Sequence, residues 1–305
     1  MDGNQKLSLS KSYPFLLSQT IQFWILHFQI LRVIEPQPSG DGLHCSPLGL
    51  ATNSAHRHAN VDGRTLVADA GFTLDAGELT ALIGPNGSGK TTLLRLALGL
   101  LDRGTGSASI GGAAVESLTP VERARRVAYL PQSRPLVWPQ PVRDVVSLGR
   151  FAYGAALGGL SQTDNAAVDR AIGSCQLNGF EERAADTLSG GELARVHLAR
   201  ALAAETPLIV ADEPVAALDP RYQHQTMQLF ADMAREGRGV LTVIHDLDLA
   251  LRYATRVLWM HDGRIVANGT PQETFTSARL RDVFDIDAQL VSDGASTRLE
   301  ISGPA

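Results

Sequence analysis

Short apolar runs, closed by glycine or by acid, pace this chain. Residues 78–83 read Glu78-Leu79-Thr80-Ala81-Leu82-Ile83 between Gly77 and Gly84. A run this short, without polar alternation, predicts a strand buried on both faces, as in a parallel sheet. Pro207-Leu208-Ile209-Val210-Ala211 predicts a second central strand, and it ends in Asp212-Glu213. Further strands are predicted over residues 239–244 and 257–260, the latter followed by a hairpin turn at His261-Asp262-Gly263-Arg264. Helical patterns cover residues 91–98, 142–151, 165–177 and 192–204, with a short one about 280–284. Arg134-Pro135-Leu136-Val137-Trp138-Pro139-Gln140-Pro141 is proline-rich and predicts an irregular exposed loop.

The first strand and first helix frame Gly84-Pro85-Asn86-Gly87-Ser88-Gly89-Lys90-Thr91, followed by Thr92. That setting separates a P-loop from a chance glycine-rich loop. A triphosphate carries several negative charges, and N–H groups at a helix N-terminus point at them. Gly84, Gly87 and Gly89 let the main chain approach closely. Lys90 adds a point charge for the β- and γ-phosphates, and the Thr91 hydroxyl is placed for Mg²⁺. Asp212 and Glu213 close a predicted strand at the edge where open α/β sheets bind ligands. Asp212 suits a Walker B carboxylate that holds Mg²⁺ directly or through water. Glu213 is then the candidate to orient or deprotonate an attacking water. Alone, such a pair serves equally as a helix start after a strand; the P-loop beside it favours the catalytic reading.

With these motifs the chain resembles the ATP-binding subunits of ABC transporters, over about residues 47–290. The resemblance rests on residues 84–91, on Gln132 in Tyr129-Leu130-Pro131-Gln132, and on Leu188-Ser189-Gly190-Gly191-Glu192. It continues through residues 208–213, Ala217-Leu218-Asp219 and His245 in Val243-Ile244-His245-Asp246. Each is weak alone; together, in the family's order, they are specific. The resemblance implies an α/β fold, a P-loop (RecA-like) ATPase core with a parallel central sheet, an antiparallel N-terminal β region and a helical subdomain. It implies ATP hydrolysis with ATP and Mg²⁺ as the bound groups.

Individual roles follow from the same resemblance. Gln132 is similar to the Q-loop glutamine, which touches Mg²⁺ or the attacking water and links the nucleotide to a membrane partner. Leu188 to Glu192 resemble the signature, with Ser189, Gly190 and Gly191 closing over the γ-phosphate of ATP held by the other subunit. Small residues ahead of a helix suit that task, because they leave its N-terminus open to an anion. Asp219 resembles the D-loop aspartate at the dimer seam. His245 resembles the switch histidine that contacts the γ-phosphate, although a lone histidine at a strand end is more often structural.

The implied partners are a second copy in an ATP-sandwich dimer, integral membrane permease subunits and, through them, a substrate-binding protein. The implied place is cytoplasmic, peripheral on the inner face of the cell membrane. The expected organisation is an N-terminal extension (1–46), a core from 47–131 and 187–270, a helical subdomain inserted at 132–186, and a C-terminal tail (271–305). Exposed Leu136, Val137 and Trp138 would suit a membrane subunit's coupling helix, unless Trp138 packs inward. Residues 142–150 and the ending look most like the ATPases of iron-siderophore, haem and cobalamin importers. The alternatives are an importer for another substrate, such as a metal ion, or a non-transport ABC ATPase in cofactor assembly.

Composition narrows the classes. The chain has 305 residues, 44% hydrophobic and 19% charged, which fits one globular α/β domain with a subdomain. A net charge of −5 without a Lys/Arg stripe argues against a nucleic-acid partner. Cys45 and Cys175 give neither a metal spacing nor a disulfide framework, which points to a reducing compartment. Residues 12–31 contain no Asp, Glu, Lys or Arg and are long enough to span a bilayer. Ser18, Gln19, Thr20, Gln22, His27 and Gln29 interrupt them, and Ser18, Gln22 and Gln29 share one helical side. The extension is therefore expected to be a poorly ordered appendage or a loose amphipathic helix rather than a span.

One expected part is missing. Relatives place an aromatic ring ahead of the P-loop to stack on adenine, but residues 56–63 hold no Phe, Tyr or Trp. Arg57, His58 or Val61 would have to serve. Base–aromatic contacts are worth about 1–3 kcal/mol, so phosphate binding should survive and base selectivity should fall. Competition binding is expected to show only a modest preference for ATP over GTP; a large preference would defeat this reading.

Overall fold

The computed structural model describes residues 53–61, 64–101, 104–132, 139–155, 159–292 and 297–305. The extension at 1–46 and the Leu136-Val137-Trp138 segment lie outside the described residues. So do the side chains at 56–63.

The central sheet comprises β3 (Leu79–Ile83), β6 (Val127–Leu130), β7 (Leu208–Asp212), β8 (Gly239–Val243), β9 (Arg256–His261) and β10 (Arg264–Gly269). Their order is β10-β9-β3-β8-β7-β6. All neighbours from β9 to β6 are parallel, and only β10 runs antiparallel, closing the hairpin expected at 261–264. Every residue of β3, β7 and β8 is buried, as their unbroken apolar runs predict. Successive side chains enter opposite cores, as a pleat requires. Leu79, Ala81 and Ile83 join one core with Ile209, Ala211, Val257 and Trp259. Leu82 joins the other with Val210, Leu241, Val243 and Leu258.

The second core sits under α1 (Lys90–Ala97) and an antiparallel sheet. That sheet has the order β2-β1-β4-β5, from β1 (Asn53–Val61), β2 (Arg64–Leu74), β4 (Gly104–Ile110) and β5 (Ala113–Ala114). The first core is roofed by α5 (Gly190–Leu202), α6 (Pro220–Arg235) and α7 (Leu247–Tyr253). At its far side Trp259 meets Phe275 and Phe284 edge-on, with ring centroids 4.9 and 5.8 Å away.

α2 (Pro120–Arg126) leads into β6, and between β6 and α5 the described residues form α3 (Val142–Ser147), a 3₁₀ turn (Leu148–Tyr153) and α4 (Gln162–Ser174). The single helix predicted over 142–151 stops being α-helical at Ser147. Gly149 there lies so close to α5 that a side-chain carbon would sit 2.2 Å from the Arg200 carbonyl oxygen. The helix predicted over 165–177 starts earlier, because Ser161 caps it by accepting from the Asp164 N–H. It ends at Ser174, and Gln176 beyond it is left-handed. α5 begins at Gly190 rather than Glu192, because Ser189 is its cap.

The tail holds more than the expected short helix. After α8 (Pro271–Thr274) and α9 (Ser277–Phe284) come β11 (Ile286–Ser292) and β12 (Thr297–Pro304), an antiparallel hairpin. β12 is largely exposed, so it carries little of the apolar alternation that announces a strand. It is tied down where the Leu299 N–H donates to Asp248 Oδ1 on α7, 3.1 Å away.

One buried cation fixes the insert to α5. Arg150 is 5% exposed. Its Nε donates to Asp164 Oδ1 at 2.8 Å and its Nη1 to the Ala203 carbonyl at 3.1 Å, and it stacks 3.9 Å over the Tyr153 ring. Hydrogen bonds from Ser161 and then Arg150 hold the Asp164 carboxyl below the usual range. A depressed carboxylate stabilises the fold above its unfolded value, about pH 4, and that contribution vanishes as pH falls through the folded value. Asp164→Asn should therefore lower the Tm at neutral pH, since it strands a buried charge. The gap from the parent should shrink on acidification, and melting curves showing a pH-independent gap would refute the assignment.

Candidate functional site

The P-loop leaves β3 and enters α1 through a passage walled by main chain. A side-chain carbon on Gly84 would lie 2.0 Å from the Met260 carbonyl oxygen on β9, and one on Gly89 2.3 Å from that of Leu66 on β2. Gly89 is also left-handed, with φ 99. Only glycine fits at either place. From the β9–β10 turn the Gly263 N–H donates to the Ser88 carbonyl at 3.0 Å. α1 starts with no side-chain cap and no acid in its first turn. Its leading N–H groups therefore remain available to an anion.

Lys90 is buried, and its ammonium donates to the Gly84 and Pro85 carbonyls at 2.8 Å each. Burial pushes its pKa down, while Glu213 and Asp212 oppose that fall. Asp212 ends β7 with no exposed surface. Burial pushes its carboxyl up and Glu213 adds to the rise; a hydrogen bond from the Thr91 side chain, with Arg95 and Lys90, holds it down. A buried carboxyl raised in this way gains from an added cation. The Thr91 hydroxyl and Asp212 are hard oxygen donors of the kind Mg²⁺ takes. Among the described residues no group of three or more His, Cys, Asp or Glu side chains could hold a metal. The donor set thus fits a cation that shares its oxygens with a bound phosphate.

Glu213 lies in the left-handed region, at φ 53. That costs of order 1–3 kcal/mol for a residue with a side chain. Its carboxylate Oε1 lies 2.6 Å from His245 Nε2, just beyond β8. Gln132 is exposed beyond β6, at the same edge of the sheet. The parallel order therefore gathers the P-loop, Gln132, Asp212, Glu213 and His245 along one row of strand ends. Thr92, in the first turn of α1, is half-buried beside them.

The other predicted residues stand apart. Ser189 caps α5: its Oγ accepts from the Glu192 N–H, and its N–H donates to Glu192 Oε2 at 2.8 Å. Hydrogen bonds to the carboxylate from the Ser189 N–H and then from its hydroxyl pull the Glu192 carboxyl below its usual value. Leu188 and Gly191 are half-buried, while Ser189 and Gly190 are exposed. A side-chain carbon on Gly190 would meet nothing within 4 Å. Among the described residues nothing therefore demands glycine there. Asp219 is exposed and caps α6 by accepting from the Tyr222 N–H at 3.1 Å. Among the described residues, no hydrogen bond or ion pair joins 188–192 or Asp219 to the P-loop.

The sequence reading missed the supports: Met260, Leu66 and Gly263 carry no motif. The only signal was the Asp262-Gly263 turn, which announces a hairpin but not what lies beside it.

The family described as ABC transporter matches residues 67–216. A hemin import ATP-binding protein of Streptomyces coelicolor is 39% identical, over 83% of this chain and 88% of its own length. A cobalamin import ATP-binding protein of Halobacterium salinarum is 36% identical, over 79% of this chain and 60% of its own. Among solved structures, a dimeric bacterial ABC transporter cassette matches with a TM-score of 0.65 at 25% identity, over 72% of this chain and 99% of its own.

Proposed function

The chain belongs to the ABC transporter family as an ATP-binding and ATP-hydrolysing subunit, and we propose that it energises an importer of haem, cobalamin or an iron chelate. The observation that carries the mechanism is the division of the site. One edge collects the phosphate-binding and carboxylate groups, while a glycine signature stands exposed elsewhere with open space around Gly190. A second copy, placed head to tail, brings that signature to the first copy's edge. The cargo class rests on the relatives named for hemin and cobalamin import.

In each site one copy supplies residues 84–92, Gln132, Asp212, Glu213 and His245, and the other supplies residues 188–192, with Asp219 at the seam. P-loop N–H groups take the β- and γ-phosphate oxygens. Lys90 joins them by exchanging the Gly84 and Pro85 carbonyls for phosphate. Thr91, Asp212 and Gln132 would hold Mg²⁺, which when bound neutralises phosphate charge. Glu213 orients a water for in-line attack and accepts its proton. His245, beside Glu213 in this structure, turns to the γ-phosphate. Because ATP binds the closed pair better than the open one, binding closes it and hydrolysis lets it reopen. Residues 132–186 receive the membrane permease, and the chain sits on the inner face of the membrane.

Glu213→Gln should give a pair that forms with ATP and does not turn over, seen by size-exclusion chromatography and phosphate release; a parental rate would remove Glu213 from its role. For the cargo, affinity purification should bring down a membrane subunit, and haem, cobalamin or a ferric siderophore should stimulate ATPase activity in that complex. Recovery of a soluble partner instead would sink the importer reading.

A further inference from the structure

Arg195 lies on α5 one turn beyond Gly191, and it is 7% exposed. Its Nη1 donates to the carbonyls of Cys175 and Gln176, at 3.2 and 2.7 Å, where α4 has just ended. A cation suits those carbonyls, since a helix leaves its last ones without partners and negatively polarised. The same guanidinium lies 4.3 Å over the ring of Tyr222, whose own N–H is bound by Asp219. Its Nε and the Gln225 Oε1 on α6 are both buried without a hydrogen-bond partner among the described residues. Both residues line one pocket of about 20 Å³, room for a bridging water.

Two neighbouring contacts run parallel to this one. Gly191 packs against the segment ahead of α6, so that a side-chain carbon there would lie 3.5 Å from the Ala217 carbonyl oxygen. Glu192 Oε1 faces Arg183 Nη1 at 3.7 Å. The start of α5 is therefore held to the insert and to the start of α6 at successive levels, and Arg195 hydrogen-bonds toward the one while stacking on a ring of the other.

We infer that Arg195 is a positioning residue: it keys the Ser189–Gly191 segment, Asp219 and the end of α4 into the one arrangement that can meet a second copy. This rests on the sandwich reading above. A planar, always-charged guanidinium can bond carbonyls and stack on a ring at once, which an ammonium cannot do equally well. Without it the α4 carbonyls lose their partner, and α5 and α6 lose the link that sets the distance between signature and seam. The P-loop, between β3 and α1, makes none of these contacts.

The test places Arg195→Met or Arg195→Lys in the full-length chain carrying Glu213→Gln. One readout is the affinity of the unpaired chain for a fluorescent ATP analogue. The other is the protein concentration at half-maximal ATP-driven pairing, by sedimentation. Arg195→Met should leave the first within about twofold and raise the second about ten- to a hundredfold, the scale of lost charge-assisted hydrogen bonds. Arg195→Lys should recover part of that loss. A residue that merely held the fold together would weaken both readouts in step. Unchanged pairing, or a parallel loss of nucleotide affinity, overturns the inference. Failure of Glu213→Gln alone to pair with ATP overturns the sandwich reading, and this inference with it.

Discussion

Two main-chain oxygens decide where phosphate can lie in this protein. Met260 presses on Gly84 from the central sheet, and Leu66 presses on Gly89 from the antiparallel sheet. The loop between them is thus seated where the two sheets meet. Backbone against backbone leaves no rotamer to adjust, so the position of the N–H groups is set by the fold rather than by any one side chain. The antiparallel sheet is in this sense part of the site, although none of its described side chains is a candidate for the chemistry.

From that seat the electrostatics follow. Lys90 is placed among carbonyls and within reach of Asp212 and Glu213, and burial disfavours the charge on both the lysine and Asp212. Glu213 and then Asp212 oppose the fall at Lys90, while the Thr91 hydrogen bond, then Arg95 and Lys90, oppose the rise at Asp212. Such a cluster is poised for exchange, because an arriving phosphate and cation replace one set of opposite charges with another. Directly after Asp212 the backbone turns left-handed at Glu213, whose carboxylate lies beside His245.

The sequence made some of this plain and hid the rest for identifiable reasons. Leu79 to Ile83 and Leu208 to Ala211 announce themselves as strands because both faces are buried, so their apolar character is uninterrupted. The P-loop and the Asp212-Glu213 pair are equally visible, since their chemistry restricts residue type. Met260 and Leu66 are invisible because they act through carbonyls, which every residue possesses. Arg195 is hidden because a single arginine in a helix reads as a solvated charge until a ring and two carbonyls are found around it. β12 is hidden because its faces are mostly wet, so pairing rather than burial makes it a strand. The insert's helix ends were misjudged where Ser161 and Gly149 act: a cap and a close approach, both set by neighbours rather than by period.

The open space around Gly190 has a genetic consequence. A larger residue there should leave each copy folded and able to hold nucleotide, because a side-chain carbon at that position meets nothing within 4 Å among the described residues. In the proposed pair, the harm would fall on the site belonging to the neighbour. A cell making both forms would find most of its pairs carrying at least one altered copy, so such an allele would behave as dominant, damaging the healthy product in whose company it is made.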